Sequence, residues 1–192
     1  MTIRPIRTMI NHATTEVFFT DMRVPAENLV GEESKGLRYI LSGMNAERIL
    51  IASECIGDAK WFIAKATSYA RERVVFGRPI GQNQGVQFPI ARAYAAMRAA
   101  ELMVKEATRK YEAGLECGAE ANMAKMLGAD ASWEAANACV QTHGSFGFAE
   151  NMMSNENFAR RGSIRWRRSR PISSCHSLPG TCSACPALIE MC

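Results

Sequence analysis

Glu47 and Arg48 stand side by side in SGMNAERILIASE, at the head of an apolar stripe. A carboxylate desolvated on a largely buried helix rises in pKa and can take a proton as a base. The blander alternative is an exposed first-turn Glu favoured by the helix dipole. Arg48 either pairs with an anion or faces solvent. Further on, RERVVFGRP sets Arg71, Arg73 and Arg78 around an apolar pair and a Gly turn. Guanidinium groups at a helix end suit phosphate, and equally suit a solvated helix end. Gln84, Gln87 and Gln141 are amides in or beside apolar stretches, available to a ligand or to water. QTHGSFG places His143 before glycines, which permit close approach to a ligand and also simply stop a helix. Read as having no Cys or second His near it, His143 makes a poor metal ligand. Trp61, Trp133 and the methionines read as core.

The C-terminal stretch poses a separate question. Cys175, Cys182, Cys185 and Cys192 are spaced C-x6-C-x2-C-x6-C, with His176 beside the first. A four-cysteine zinc site pairs its ligands in two close hairpins, and only Cys182 and Cys185 are close here. The arginines of residues 160–170 could hold a phosphate backbone, with Trp166 their only interleaved aromatic. Neither a metal nor nucleic acid is the expected partner.

Composition bounds the rest. With 47% hydrophobic and 22% charged residues, the chain fits a soluble globular protein. No run of about 18 apolar residues exists, so no membrane span is expected. The N-terminus has no apolar core and no cleavage site of a secretory signal, so a cytoplasmic location with reduced thiols is expected. The net charge of +4 sits wholly after residue 150, in six Arg and two Glu without a Lys. Four of the seven Cys lie there as well.

The elements that must position these residues follow from periodicity. TEVFFTDMRVP reads as a strand and a turn at Pro25. From about residue 35 the pattern is helical. Ile49, Ala52, Ile56, Ala59, Ile63, Ala66 and Ala70 form one stripe; Val86, Ile90, Ala93, Met97, Ala100, Val104, Ala107 and Tyr111 form another. Each predicts a helix of about seven turns. FGRPIGQ and EAGLECGAE break the pattern, and a third helix is expected from about Glu120 to Thr142. The predicted fold is all-α, an up-and-down helical bundle preceded by a short β-strand segment. The fourth helix of such a bundle is missing, since RRGSIRWRRSRPISS carries no stripe. The expected divisions are residues 1–33, a remnant of a β-domain; 34–150, the bundle; and 151–192, an irregular or disordered tail.

In this order the pieces resemble the C-terminal helical domain of acyl-CoA dehydrogenases, over roughly residues 3–150. FFTDMRVPAENLVGEESKG is similar to the family's exit from its β-domain. MNAERI, YARERVVFGRPIGQNQGVQF and AKMLGADASWEAANACVQTHGSFGF follow at family spacing. The resemblance implies FAD-dependent oxidation of the Cα–Cβ bond of an acyl-CoA thioester, with an electron-transfer flavoprotein as acceptor. It implies that Arg73, Phe76 and Gln84 contact FAD, largely across a subunit interface of a homo-oligomer, dimer or tetramer. Gln141, Gly144 and Ser145 match a Q-x-H-G-G turn that meets the adenosine diphosphate part, with Ser145 in place of the second Gly. Arg48 matches an Arg near the CoA or acyl path. Many members carry the catalytic base in a Y-E-G-T motif, absent here; a smaller group carries it where Glu47 stands, and Glu47 is taken as the base.

The family's full chain is considerably longer, and its N-terminal helical domain and most of its β-domain lie outside this sequence. The chain alone is therefore expected neither to hold FAD nor to turn over. The tail has its own account. Met has one codon, so Met152–Met153 fixes ATGATG, and a frame begun at the first codon's last base reads Asp. Carried along, that frame permits a continuation similar to the family's last helix. Loss of one base near the codon of Glu150 explains the Arg bias, the Cys cluster and the missing helix together. Two rivals remain: a zinc-binding or nucleic-acid-binding tail on a helical scaffold, and a non-enzymatic helical oligomerisation module.

Overall fold

The structure is a computed structural model and describes residues 1–7 and 14–149. Helix α1 spans Gly36–Glu72, α2 spans Gln84–Glu112 and α3 spans Gly118–His143. The all-α bundle and its three helices match the reading of the stripes. The length of α1 does not: its 37 residues make about ten turns rather than seven. No Pro interrupts the chain between Pro25 and Pro79, so the helix extends N-terminally of its buried stripe.

The stripes face inward. Ile49, Ala52, Ile56, Ala59, Ala66 and Ala70 of α1 are buried, as are Ala93, Met97, Ala100, Val104 and Ala107 of α2. Three expectations fail: the methionines are not all core, since Met22 and Met44 are exposed. Tyr111, the last member of the second stripe, is exposed beside the end of α2. Trp61 is also on the outside, edge-on to Phe62 at 5.0 Å and capped by the Lys65 ammonium at 5.7 Å. Phe62, next to it, points inward instead and is the largest fully buried side chain.

Helix α3 lies between the other two and buries residues on several faces, Ala121, Lys125, Ala131, Ala136 and Val140 among them. Small residues permit this. A Cβ on Gly128 would stand 3.2 Å from the Ala52 carbonyl oxygen, so α1 and α3 meet there nearly backbone to backbone. Gly118 lies by Asn45, Gly128 by Ala52, and His143 by Tyr69, so α1 and α3 run in the same direction. Helix α2 runs in the opposite direction to both. Lys60 bonds Glu101 at 2.7 Å from α1 to α2, and Lys110 pairs with Glu120 from α2 to α3. At the end of α2, Gly114 takes a φ of 67° and the Leu115 amide bonds the Lys110 carbonyl at 2.9 Å, which closes the helix.

Before the bundle, β1 (Thr2–Ile6) and β2 (Thr14–Phe18) pair antiparallel, from Thr2 opposite Phe18 to Ile6 opposite Thr14. The expected strand is β2; β1 was not foreseen. All ten residues are exposed. Among the described residues no helix is long and apolar enough to cross a membrane. The expected irregular tail, its Cys pattern and the proposed change of frame lie outside the described residues.

Candidate functional site

The expected site residues gather at two places. The first is one end of the bundle. There α1 stops, β3 (Val74–Val75) and β4 (Arg78–Pro79) make a short hairpin, and a 3-10 turn over Ile80–Gln82 leads into α2. The C-terminus of α3 and its following 3-10 turn, Gly144–Phe148, reach the same end. Arg73, Phe76, Gln84, Gln141, Gly144 and Ser145 all belong to it, and all are exposed.

Local backbone explains the hairpin. Phe76 and Gly77 are its two loop residues, with φ of 51° and 77°. Both positive values define the turn whose twist suits a two-residue hairpin. Gly adopts this freely, but for Phe it is an uncommon and costly conformation. The Phe76 ring is fully exposed, at 101%. Arg73 is anchored by its backbone: its amide bonds the Tyr69 carbonyl and its carbonyl accepts from the Ile80 amide, each at 2.9 Å. Its guanidinium is left at the surface. Arg78 turns instead to Asn83 at 2.7 Å, and Gln87 bonds the Gly81 carbonyl at 2.7 Å, so these two serve the loop. An open recess of about 280 Å³ lies between Tyr69, Glu72, Arg73 and Phe146.

In the Gly144–Phe148 turn, Gly144 has φ 59° and ψ −133°, which a side chain would not tolerate. Ser145 has no positive φ, so a residue other than Gly stands there without backbone strain.

The second place is the stretch around Glu47 on α1. Glu47 is not in the first turn, because α1 begins at Gly36, so an N-terminal dipole role is excluded. Its side chain is exposed among the described residues. Arg48 beside it is buried, and its guanidinium donates to the Asn45 side-chain oxygen at 2.9 Å. Of the two alternatives for Arg48, solvent is the one removed. From Glu47 to Arg73 the helix rises about 39 Å at 1.5 Å per residue, farther than one extended dinucleotide reaches.

Sequence reasoning picked out His143 of the first place but not its neighbours Tyr69 and Cys139. Tyr69 stacks on His143, ring centroids 4.2 Å apart and planes 23° from parallel. His143 is buried, and its Nδ1 donates to the Cys139 carbonyl at 2.8 Å. The reading that His143 has no Cys near it is corrected: Cys139 lies one turn earlier, Sγ 3.8 Å from Nδ1. Burial pushes the Cys139 thiol up to about 11, which disfavours the reactive thiolate. Among the described residues no three His, Cys, Asp or Glu side chains gather as a metal site.

The profile described as "Acyl-CoA dehydrogenase, C-terminal domain" matches residues 34–164, fourteen residues past the expected boundary at 150. An acyl-CoA dehydrogenase of Bacillus subtilis is 39% identical over 138 residues, covering 72% of this chain and 36% of the relative. A cyclohex-1-ene-1-carbonyl-CoA dehydrogenase of Syntrophus aciditrophicus is 36% identical over 137 residues, 71% of this chain and 33% of the relative. Among solved structures, the butyryl-CoA dehydrogenase of Megasphaera elsdenii aligns with a TM-score of 0.74 at 29% identity, over 80% of this chain and 40% of that one. A glutaryl-coenzyme A dehydrogenase in complex with glutaryl-CoA aligns with a TM-score of 0.76 at 27% identity, over 86% and 42%. The chain thus spans between a third and about two fifths of the length of these relatives.

Proposed function

The chain belongs to the acyl-CoA dehydrogenase family, whose members are FAD flavoproteins acting on the CH–CH group of acyl-CoA, and from this premise we propose that it supplies the helical part of such an enzyme. The observation that carries the reading is Phe76. A wholly exposed apolar ring, held at a positive φ between two arginines, is costly in water and is retained where a ligand covers it. The exposed Arg73 guanidinium and the open Gly144 backbone suit the diphosphate of a dinucleotide, and the Phe76 ring suits a flat aromatic group. The residues present therefore fit FAD. Arg73, Phe76 and Gln84 would hold it from the hairpin side, and Gln141, Gly144 and Ser145 from the turn.

Bound FAD supplies the acceptor for the β-hydride. Glu47 takes the α-proton of the acyl thioester, while the buried Arg48 guanidinium is held by the Asn45 side chain. Glu47 is exposed in this chain by itself; an acyl chain and flavin laid against it would desolvate it. The separation along α1 supports a division of labour: Glu47 serves one active site and Arg73 that of a neighbouring copy. A homo-oligomer, an acyl-CoA substrate, an electron-transfer flavoprotein as acceptor and a cytoplasmic setting complete the proposal.

A chimera tests it. Residues 34–149 of this chain replace the corresponding segment of the Bacillus subtilis relative. The chimera should bind flavin and be reduced by acyl-CoA, and Glu47→Gln should slow reduction by roughly 10²–10⁴-fold with flavin content unchanged. Full reduction by the Glu47→Gln chimera would remove Glu47 from the chemistry. A flavin-loaded chimera inert to all acyl-CoA chain lengths would sink the reading as a whole.

A further inference from the structure

Two elements at the hairpin end carry the residues assigned to the dinucleotide: the connection over residues 73–84 and the turn Gly144–Phe148. They lie far apart in sequence, and a pair of rings joins them. Tyr69 sits one turn before Arg73, and its carbonyl accepts from the Arg73 amide at 2.9 Å. His143 immediately precedes Gly144. The two rings stack at 4.2 Å. A carbonyl can only accept, so Nδ1 of His143 carries the proton shared with Cys139 at 2.8 Å, and this bond fixes the ring's orientation. Gly147 locks the turn onto α3, since a Cβ there would lie 2.6 Å from the Val140 carbonyl oxygen. The recess between the two elements takes Arg73 from one and Phe146 from the other.

We infer that His143 is a positioning residue: stacked on Tyr69, it holds the Arg73 connection and the Gly144–Phe148 turn as one rigid surface. That this surface meets a dinucleotide rests on the function proposed above; the coupling of its two halves does not. A single ring stack contributes modestly, so its loss loosens the two elements locally and leaves the bundle folded.

Amide hydrogen exchange on the full 192-residue chain measures this. The reporters are the Ile80 amide, bonded to Arg73, and the Ala149 amide, bonded to Phe146. In His143→Ala and in Tyr69→Leu both should exchange roughly threefold to tenfold faster. The double variant should be no faster than either single one, because both remove the same stack. Amides in the middle of α2 should not change. Tyr69→Phe should keep the wild-type pattern. His143→Phe, which retains a flat ring, should largely restore it and keeps the test usable if His143→Ala does not fold. A rise that is uniform along all three helices, or additive in the double variant, or absent at Ile80, overturns the coupling. Flavin loading of the Bacillus subtilis chimera is a separate arm: no slowing at either reporter relative to the flavin-free chimera counts against a dinucleotide at this surface and leaves the coupling standing.

Discussion

Phe76 sets a local cost against a proposed use. A non-glycine residue in the left-handed region costs about 1–2 kcal/mol, and the exposed ring recovers none of it by packing. Asn tolerates this conformation, and Asn-Gly is the preferred pair for such a loop. Phe76→Asn should therefore raise the melting temperature by about 2–4 °C, measured by thermal denaturation. An unchanged or lower value would show that the turn is not strained. The same substitution should weaken flavin binding in the chimera. At this scale the sequence was legible in part. Arg73, Phe76 and Gln84 could be marked as a group because they crowd around one Gly-Pro break. The strain at Phe76 could not be seen, because FG reads as an ordinary turn. Nor could the partnership of Tyr69 with His143, which only the parallel run of α1 and α3 brings together.

Between elements, ion pairs link neighbouring helices. Glu101 on α2 accepts from Lys60 of α1 and pairs with Arg98, and Glu120 on α3 pairs with Lys110 of α2. The Lys60 bond holds the Glu101 carboxyl below its usual 4.5, and the Lys110 bond does the same for Glu120. A carboxylate depressed in the folded state contributes stability that is present above its unfolded pKa and is lost as pH falls through the folded one. Lys60→Met should thus lower the denaturation midpoint at neutral pH. The difference from wild type should shrink as the pH drops below about 4.5 and disappear in acid, once Glu101 is protonated in the folded state as well. A difference that persists there would assign the effect to lost packing of the Lys60 stem. The helices themselves were legible because Ile and Met stand out against polar neighbours at a period of 3.6. Helix α3 was bounded to within two residues by the glycine-containing breaks on either side of it, although Ala, Gly and Ser offer little contrast between its faces. The N-terminal strand β1 was missed because Arg4 and Pro5 interrupt its apolar pattern, and pairing with β2 decides it.

For the whole chain, the two sets of expected site residues lie at separate places, and neither forms an enclosed cavity among the described residues. The purified chain should therefore show no flavin absorption, and elemental analysis should find no stoichiometric zinc. A visible flavin spectrum would contradict the first expectation; one zinc per chain would revive the cysteine-rich tail as a metal site. The parallel course of α1 and α3 has a further consequence for the hairpin end. Two helices finish there and only α2 begins, so carbonyl ends outnumber amide ends and the backbone field is negative on balance. Most phosphate sites draw on the positive start of a helix. A diphosphate brought to this end meets the opposite sign from the helix dipoles, so its charge must be met by groups outside the helix axes, the Arg73 guanidinium first among them.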